Sequence, residues 1–531
     1  LKKRFLRLFD TIWKDQLSNQ GKLVLHLQKI NIQQSFPQDW IRMFTHLANL
    51  FFEEAKIEIE DMDDAIQVVF NVKQADGTWS GESTLQWKGN TYHSSFVEKE
   101  ENGDDKQRNR QLKRVYSHLF LDSLEQATGM EQAWGILTGI RPTKLYHKYR
   151  KEGFSEADTK KLLMKQHRIS QEKVDLLAKI VDVQLGAIPD LHDLKNEVSL
   201  YIGIPFCPTK CAYCTFPAYA IHRKNGRVES FLDGLHEEIR EIGKWLKDRD
   251  INITTIYFGG GTPTSIEADE MDALYQTMYD SFPHMTEVRE VTVEAGRPDT
   301  ITPEKIEVLK KWGIDRISVN PQSYTDETLK AIGRHHTVQE TIDKFWLSRT
   351  MGMRNINMDL IIGLPNEGLD EFKHSLNETE KMQPESLTIH TLSFKRASEM
   401  TRNKNKYRVA DRSTVEQMMK RGEQWTAANG YVPYYLYRQK NILGNLENVG
   451  YAKPGEESLY NILIMEEVQT IIGIGCGASS KFMDPVTERI TQFQNPKDPA
   501  AYILTFEEYI EQKIEHLERI FPNRPVVTEK I

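Results

Sequence analysis

Two rhythms of apolar and polar residues divide the chain. In the first part the alternation has period two. Val68-Val69-Phe70-Asn71-Val72 and Ser83-Thr84-Leu85-Gln86-Trp87 read as strands, joined through a turn-rich Asp76-Gly77 stretch. Residues 99–111 are almost wholly polar and predict a solvated loop or helix lead-in. A helical part follows. Its cluster Gly135-Ile136-Leu137-Thr138-Gly139-Ile140-Arg141-Pro142-Thr143-Lys144 reads as a packed helix junction, with an interface or anion contact as the alternative.

From about residue 196 the chain alternates between strand and helix patterns. Short β-rich runs occur at 198–204, 253–258, 290–294, 316–319, 357–362 and 386–391. Between the first two, Val228, Phe231, Leu232, Leu235, Ile239, Ile242 and Leu246 follow three- and four-residue steps, the apolar face of one helix. Thr302-Pro303 supplies an N-cap and a first-turn proline for another helix, which Gly313 is placed to close. Six successive βα units require a mainly parallel sheet with right-handed crossovers. The predicted fold is α/β: an incomplete (β/α)6 TIM-like barrel, about three-quarters of the full form. The expected organisation is an N-terminal α+β domain (1–110), a helical linker region (111–195), the partial barrel (196–400) and a C-terminal mixed α/β domain or lid (401–531).

Composition narrows the class. The chain has 531 residues with 39% hydrophobic and 27% charged content, ordinary for a globular protein. A net charge of −8 argues against a long nucleic-acid track, so no nucleic-acid partner is expected. No apolar run is long enough to span a bilayer, so no membrane span is expected. The start, Leu1-Lys2-Lys3-Arg4-Phe5-Leu6, reads as an amphipathic helix without signal-peptide character, and the missing Met suggests a processed, truncated or unusually initiated chain. The expected location is the cytoplasm. Of four cysteines, three lie within eight residues, which points to metal rather than to a disulfide framework.

That triplet, Cys207-Pro208-Thr209-Lys210-Cys211-Ala212-Tyr213-Cys214, ends the first barrel strand. Its C-x3-C-x2-C spacing lets one loop place three thiolates around a [4Fe–4S] cubane. Three ligands for four irons leave one iron open to chelate the amino and carboxylate groups of S-adenosylmethionine (SAM). Electron transfer into the sulfonium then gives a 5′-deoxyadenosyl radical, chemistry that belongs to the cofactor. A structural zinc site is the competing use, but zinc prefers four closed ligands. The nearest extra donor, His222, lies eight residues beyond the triplet, and Cys476 sits in a Gly-rich run that reads as a buried strand or turn.

Phe258-Gly259-Gly260-Gly261-Thr262-Pro263-Thr264 follows the second strand, where bare glycines let a ligand reach the main chain. Glu294 ends the third strand, Gln322 follows the fourth, Asp359 lies in the fifth, and His390 to Ser393 surround the sixth. Several polar residues at one rim of a barrel are a site signature. A carboxylate suits the SAM ammonium, another suits ribose hydroxyls, and Arg334 suits the methionyl carboxylate. His335 and His336 read as surface residues.

With these motifs on view, including Tyr201–Cys214, 259–264, Val293-Glu294, Val319-Asn320-Pro321-Gln322 and 357–365, the chain resembles the oxygen-independent coproporphyrinogen III oxidases (dehydrogenases), in particular their HemZ-type radical SAM branch. The resemblance covers about residues 198–395 and weakens towards 485. It implies an oxidoreductase of porphyrin and haem biosynthesis that converts two propionates of coproporphyrinogen III to vinyls, giving protoporphyrinogen IX. It also implies a tetrapyrrole substrate, an electron donor to the cluster and an electron acceptor. By similarity Tyr201, Tyr213, Gly260, Gly261, Thr262, Glu294, Gln322, Arg334, Asp359 and Ser393 would hold SAM, with Cys207, Cys211 and Cys214 on the cluster. The chain departs from the family at Gly203, where a His is common, and at Phe216, where the best-studied branch has a fourth Cys. Lys395, Arg396, Arg438 and Lys440 are candidate propionate contacts, each equally a solvated charge. The main rival is a haem-binding chaperone on the same fold. Its His-Asn signature is met here by Gly444-Asn445, without the His. A radical SAM methyltransferase or haem-ring-opening enzyme is the second rival, and a nucleic-acid-modifying radical enzyme the third.

Overall fold

Asp76 and Gly77 both adopt left-handed backbone angles (φ 52° and 67°), as do Lys88 and Gly89 (52° and 79°). These two-residue turns match the twist of antiparallel strands and produce two successive hairpins. In the computed structural model they join β3 (Ile66–Ala75), β4 (Thr78–Trp87) and β5 (Asn90–Lys99). The structure describes residues 28–522 except 53, 59–64, 102, 140, 217, 222–226, 395–397, 404–405 and 440–441. The basic start, His222, Lys395, Arg396 and Lys440 therefore lie outside the described residues.

The chain forms two compact units, one of residues up to 178 with 411–413 and 439–445, the other of the remainder. In the first unit, β1 (Gln28–Ile32) and β2 (Ala55–Glu58) extend the hairpins to a sheet ordered β2-β1-β3-β4-β5 among the described residues. One face packs on α1 (Gln38–Ala48) and α2 (Asp105–Thr128). Phe44, Phe70, Tyr116 and Phe120 interlock there, with ring centroids 5.2–5.6 Å apart for neighbouring pairs. Asp104 and Gln107 form a capping box that starts α2, and Gly129 ends it in the left-handed region. Gln111 is an exception to the solvated reading of 99–111. It is buried, accepting from the Glu101 amide and donating to the Lys99 carbonyl. Gly135 lies where a Cβ would meet the His167 carbonyl oxygen at 2.1 Å, which fits a packed junction.

The second unit is the partial barrel. Its strands are β6 (Val198–Ile204), β9 (Ile253–Gly260), β10 (Glu290–Val293), β11 (Arg316–Ser318), β12 (Asn355–Ile362) and β13 (Ser386–Thr391). All are paired parallel in that order. A small ribbon of β7 (Phe206–Cys207) and β8 (Tyr219–Ala220) stands beside them. Outward-facing Ile202, Ile256, Phe258, Val293, Ile317, Leu360 and Leu387 are buried. Helix α6 (Arg227–Asp248) buries Phe231, Leu232, Leu235, Ile239, Ile242 and Leu246, as its spacing predicts. Each such side chain contributes roughly 1.5–3 kcal/mol. Thr302 caps α8 (Pro303–Lys311), its hydroxyl accepting from the Lys305 amide.

The last ~130 residues, expected as a mixed domain or lid, supply strands to both edges of this same sheet. On one side β14 (Val432–Tyr437) and β15 (Asn448–Ala452) add antiparallel to β13. On the other, β16 (Thr470–Gly475) adds parallel to β6 and is followed by β17 (Ser479–Met483) and β18 (Ile490–Gln494). Cys476 is buried just past β16 and donates to the Pro496 carbonyl. The last described helix, α15 (Pro499–Ile520), is tied to α6 by a buried ion pair between Lys513 and Glu238. Tyr502, Asn495 and the Gly475 amide complete the donor set around that carboxylate. Burial lowers the Lys513 pKa, and Glu238 opposes the shift.

Candidate functional site

The inward face of the barrel is polar. Near one end, the Glu290 carboxylate accepts from the Ser458 hydroxyl and from the Leu459 and Tyr460 amides, at 2.9–3.1 Å. It thus caps α14 (Leu459–Glu466), a helix from the C-terminal part. This brings Tyr460 over Tyr257, with ring centroids 4.4 Å apart, and Tyr201 stacks on Tyr257 at 6.1 Å. The Tyr460 hydroxyl is buried without a hydrogen-bond partner among the described residues.

Beyond this aromatic tier, towards the C-terminal ends of the strands, lies a charged one. Tyr257 donates to Glu294 at 2.5 Å. Burial pushes the Glu294 carboxyl up to about 7; the Tyr257 hydrogen bond opposes this and the Asp359 charge adds to it. Asp359 behaves oppositely. Burial would raise its pKa, but hydrogen bonds from His390, Asn357 and Thr388 and the His390 charge hold it below the ordinary carboxylate range. His390 Nε2 lies 3.5 Å from Asp359, and Nδ1 lies 3.2 Å from the Tyr437 hydroxyl. Gln322 adopts φ 66°, a costly angle for a non-glycine residue, and is held there by backbone bonds to Asp359 and Ile361. Ser393 is buried just after β13.

The cysteine loop lies between the glycine run after β9 and the 332–334 turn. Cys207 ends β7, and its thiol lies 3.3 Å from the Thr262 hydroxyl. Burial pushes the Cys207 thiol up to about 11, while Thr262 and Arg297 pull it down. Gly261 and Thr262 hydrogen-bond through their amides to Ile204 and Phe206, and a Cβ on Gly261 would meet the Phe206 carbonyl oxygen at 2.5 Å. Gly260 adopts φ 110°, which L side chains rarely take. On the other flank, the Ala212 amide bonds to the Ile332 carbonyl. Arg334 is buried. Burial would lower its pKa, but interactions with Tyr213 and Cys211 win and raise it. Burial likewise raises the Tyr213 phenol.

Glu294, Asp359 and His390 are therefore brought together, as are Cys207 with Thr262 and Arg334 with Tyr213 and Cys211. Among the described residues, no group of three His, Cys, Asp or Glu is close enough to hold a single metal ion. A cubane does not need that, since each thiolate ligates a different iron. Arg334 Nε, Asn320 Oδ1 and Ser318 Oγ are buried without a hydrogen-bond partner among the described residues. Such orphaned atoms fit a polar ligand like SAM.

Some sequence readings need correction or addition. His336 is buried, not on the surface, while His335 is exposed. Arg438 is no solvated charge: burial lowers it to about 10, against the neighbouring Glu447. Tyr257, Tyr437, Tyr460 and Arg297 were not anticipated. Tyr257 could have been found, because it stands two residues before Gly259 on the face shared with Tyr201. Tyr460 carries no comparable signal, being delivered from a segment outside the βα pattern.

Comparison with known proteins bears on this site. The sequence signature described as the Radical SAM superfamily matches residues 201–379. Over 484 residues the chain is 60% identical to the oxygen-independent coproporphyrinogen-III oxidase-like protein HemZ of Bacillus subtilis (strain 168), spanning 90% of this chain and 96% of that one. It is 29% identical to the heme chaperone HemW of the same organism, over 53% of this chain and 70% of that one. Among solved structures it is similar to coproporphyrinogen III oxidase (HemN) of Escherichia coli, with TM-score 0.47 and 19% identity, covering 61% of this chain and 72% of that one.

Proposed function

Because the chain belongs to the HemZ family of oxygen-independent coproporphyrinogen-III oxidase-like radical SAM proteins, we propose that it oxidatively decarboxylates propionate side chains of coproporphyrinogen III to vinyls. Each turnover removes a hydrogen atom from the propionate β-carbon, releases CO2 and passes one electron to an acceptor. As a radical SAM protein it takes a [4Fe–4S] cluster and SAM, which together supply one-electron bond cleavage and hydrogen-atom abstraction.

The observation that carries this reading is that the cysteine loop lies against Thr262 after β9 and interacts with the buried Arg334, while Glu294 and Asp359 form a polar tier on the inward face of the same barrel. Cys207, Cys211 and Cys214 hold the cluster. Glu294, once ionised, receives the ammonium of SAM, and Arg334 its carboxylate. Asp359, already held in its charged form, receives the ribose hydroxyls. Gly260 and Gly261 let the ligand approach the main chain. The stacked tyrosines line the tier from within.

The test is anaerobic reconstitution, then addition of reductant, SAM and coproporphyrinogen III, with products followed by mass spectrometry. Stepwise loss of two carboxyl groups with matching 5′-deoxyadenosine is expected. Cleavage of SAM with an intact porphyrinogen would overturn the substrate assignment and keep the radical chemistry. A second reading, haem binding and delivery, has support from the similarity to HemW. Tight haem binding together with an intact porphyrinogen would favour it, although Gly444-Asn445 lacks the expected His.

A further inference from the structure

Three residues after Glu294, on the same β10 loop, stands an arginine that the proposed chemistry does not use. Arg297 is only 3% exposed. Its Nε and Nη2 donate to the two carboxylate oxygens of Asp299, at 3.0 and 2.7 Å. That fork fixes the plane of the guanidinium. The remaining nitrogen, Nη1, points into the cysteine loop and donates to the Thr209 hydroxyl at 2.9 Å and the Thr209 carbonyl at 3.3 Å.

Thr209 lies midway between Cys207 and Cys211. Its hydroxyl accepts from Arg297 and donates its own proton to the Gly333 carbonyl at 3.0 Å. Gly333 in turn precedes Arg334, whose Nη2 reaches the Gly296 carbonyl at 3.4 Å. Two loops, 294–299 and 332–334, are thus stitched to the cysteine loop through one threonine. His336 packs near both arginines; burial and their charges hold it neutral, with a pKa of about 3. His336 therefore adds no charge behind the loop, where Arg334 and the Arg297–Asp299 pair stand.

We propose that Arg297 is a positioning residue for the cluster, which clamps the ligand loop through Thr209 and, with its charge paired to Asp299, keeps that carboxylate from standing uncompensated behind the thiolates. This rests on the reading that Cys207, Cys211 and Cys214 hold the cluster. Outer partners of metal ligands orient them and tune the metal, and their loss costs roughly 10–100-fold in metal retention. Lys cannot replace the fork, because it offers a point charge without the planar geometry.

The experiment compares reconstituted wild-type protein with Arg297→Gln, Arg297→Lys and Thr209→Val. Three quantities are read: iron release to a chelator, the midpoint potential of the cluster by EPR-monitored titration, and the circular-dichroism melt as a check of folding. Arg297→Gln should release iron roughly 10–100-fold faster and become harder to reduce, since the Asp299 carboxylate is then left without its cation behind the loop. Arg297→Lys should release iron faster while its potential stays closer to wild type. Thr209→Val, the milder change, should speed release and leave the potential in place. Folded Arg297→Gln and Thr209→Val proteins with wild-type release and potential would overturn the proposal. Should Arg297→Gln not fold, an unchanged release rate in Thr209→Val overturns it alone. A wild-type protein that takes up no cluster would instead overturn the reading beneath it.

Discussion

The two sheets of this protein share one alternation and put it to opposite uses. In the N-terminal unit the apolar face of β3 and β4, with Val68, Phe70 and Leu85, is buried, and the other face, with Val69, Asn71 and Glu82, is exposed. In the barrel unit the apolar face again meets helices, through Ile256, Phe258 and Leu360. Its polar face, however, is turned inward, where Tyr257, Glu294, Asp359 and His390 are only half-buried. A solvated polar face carries no electrostatic tension. An enclosed one does, and the Glu294 carboxyl near 7 is its signature. The difference teaches that curvature of the sheet around its polar face, not composition, turns a polar stripe into a site.

The most severe way to test this contrast is to remove one of the proposed cluster ligands beside the enclosed face. Cys211→Ala should abolish cluster retention, read as iron and sulfide content, and reduce SAM cleavage to background while the fold persists. Next in size is a charge on the helix side of the barrel, where the contrast has its exception. Lys513→Met leaves Glu238 buried without its cation and should cost about 3–5 kcal/mol in denaturant unfolding. If it costs nothing, the buried pair is not what secures α15.

Glu294 sharpens the comparison through pH. Its folded pKa is raised, from 4.5 to about 7. The stability it contributes to the ligand-free protein is therefore fully present below about 4.5 and lost as pH rises through about 7. SAM affinity should move the other way, rising across the same window as the carboxylate forms. Glu294→Gln should flatten both profiles and weaken SAM binding by about 10- to 100-fold, the worth of a charge-assisted hydrogen bond. A retained pH profile in that variant would assign the titration elsewhere. The smallest effect belongs to the solvated face: Val97, 65% exposed, should tolerate Thr within about 0.5 kcal/mol by thermal melt.

Much of this architecture is legible from local pattern. The runs at 198–204 and 386–391 coincide with β6 and β13, and the Asp76-Gly77 turn lies where its backbone preference puts it. Period-two and period-3.6 patterns survive because each face has one environment along its whole length. The cysteine loop is a local pattern too, since its three thiols are close in sequence. What failed were judgements on exposure. His336 and Gln111 look like surface residues in a string of polar neighbours, yet both are buried, and Arg438 is enclosed rather than solvated. Burial is set by what packs over a residue, and that comes from distant segments.

The sequence by itself determined the order of the barrel strands, the amphipathic helices and the clustering of three thiols after the first strand, because these depend on residue type and short spacing. Tertiary structure alone decided that residues 432–494 extend the barrel sheet at both edges and that Tyr460 enters its interior. It also decided that Glu294 stays near neutrality while Asp359 stays ionised. Two carboxylates of similar intrinsic strength are separated only by what surrounds them: burial and a neighbouring carboxylate outweigh one phenol for the first, and a histidine with two further donors outweighs burial for the second.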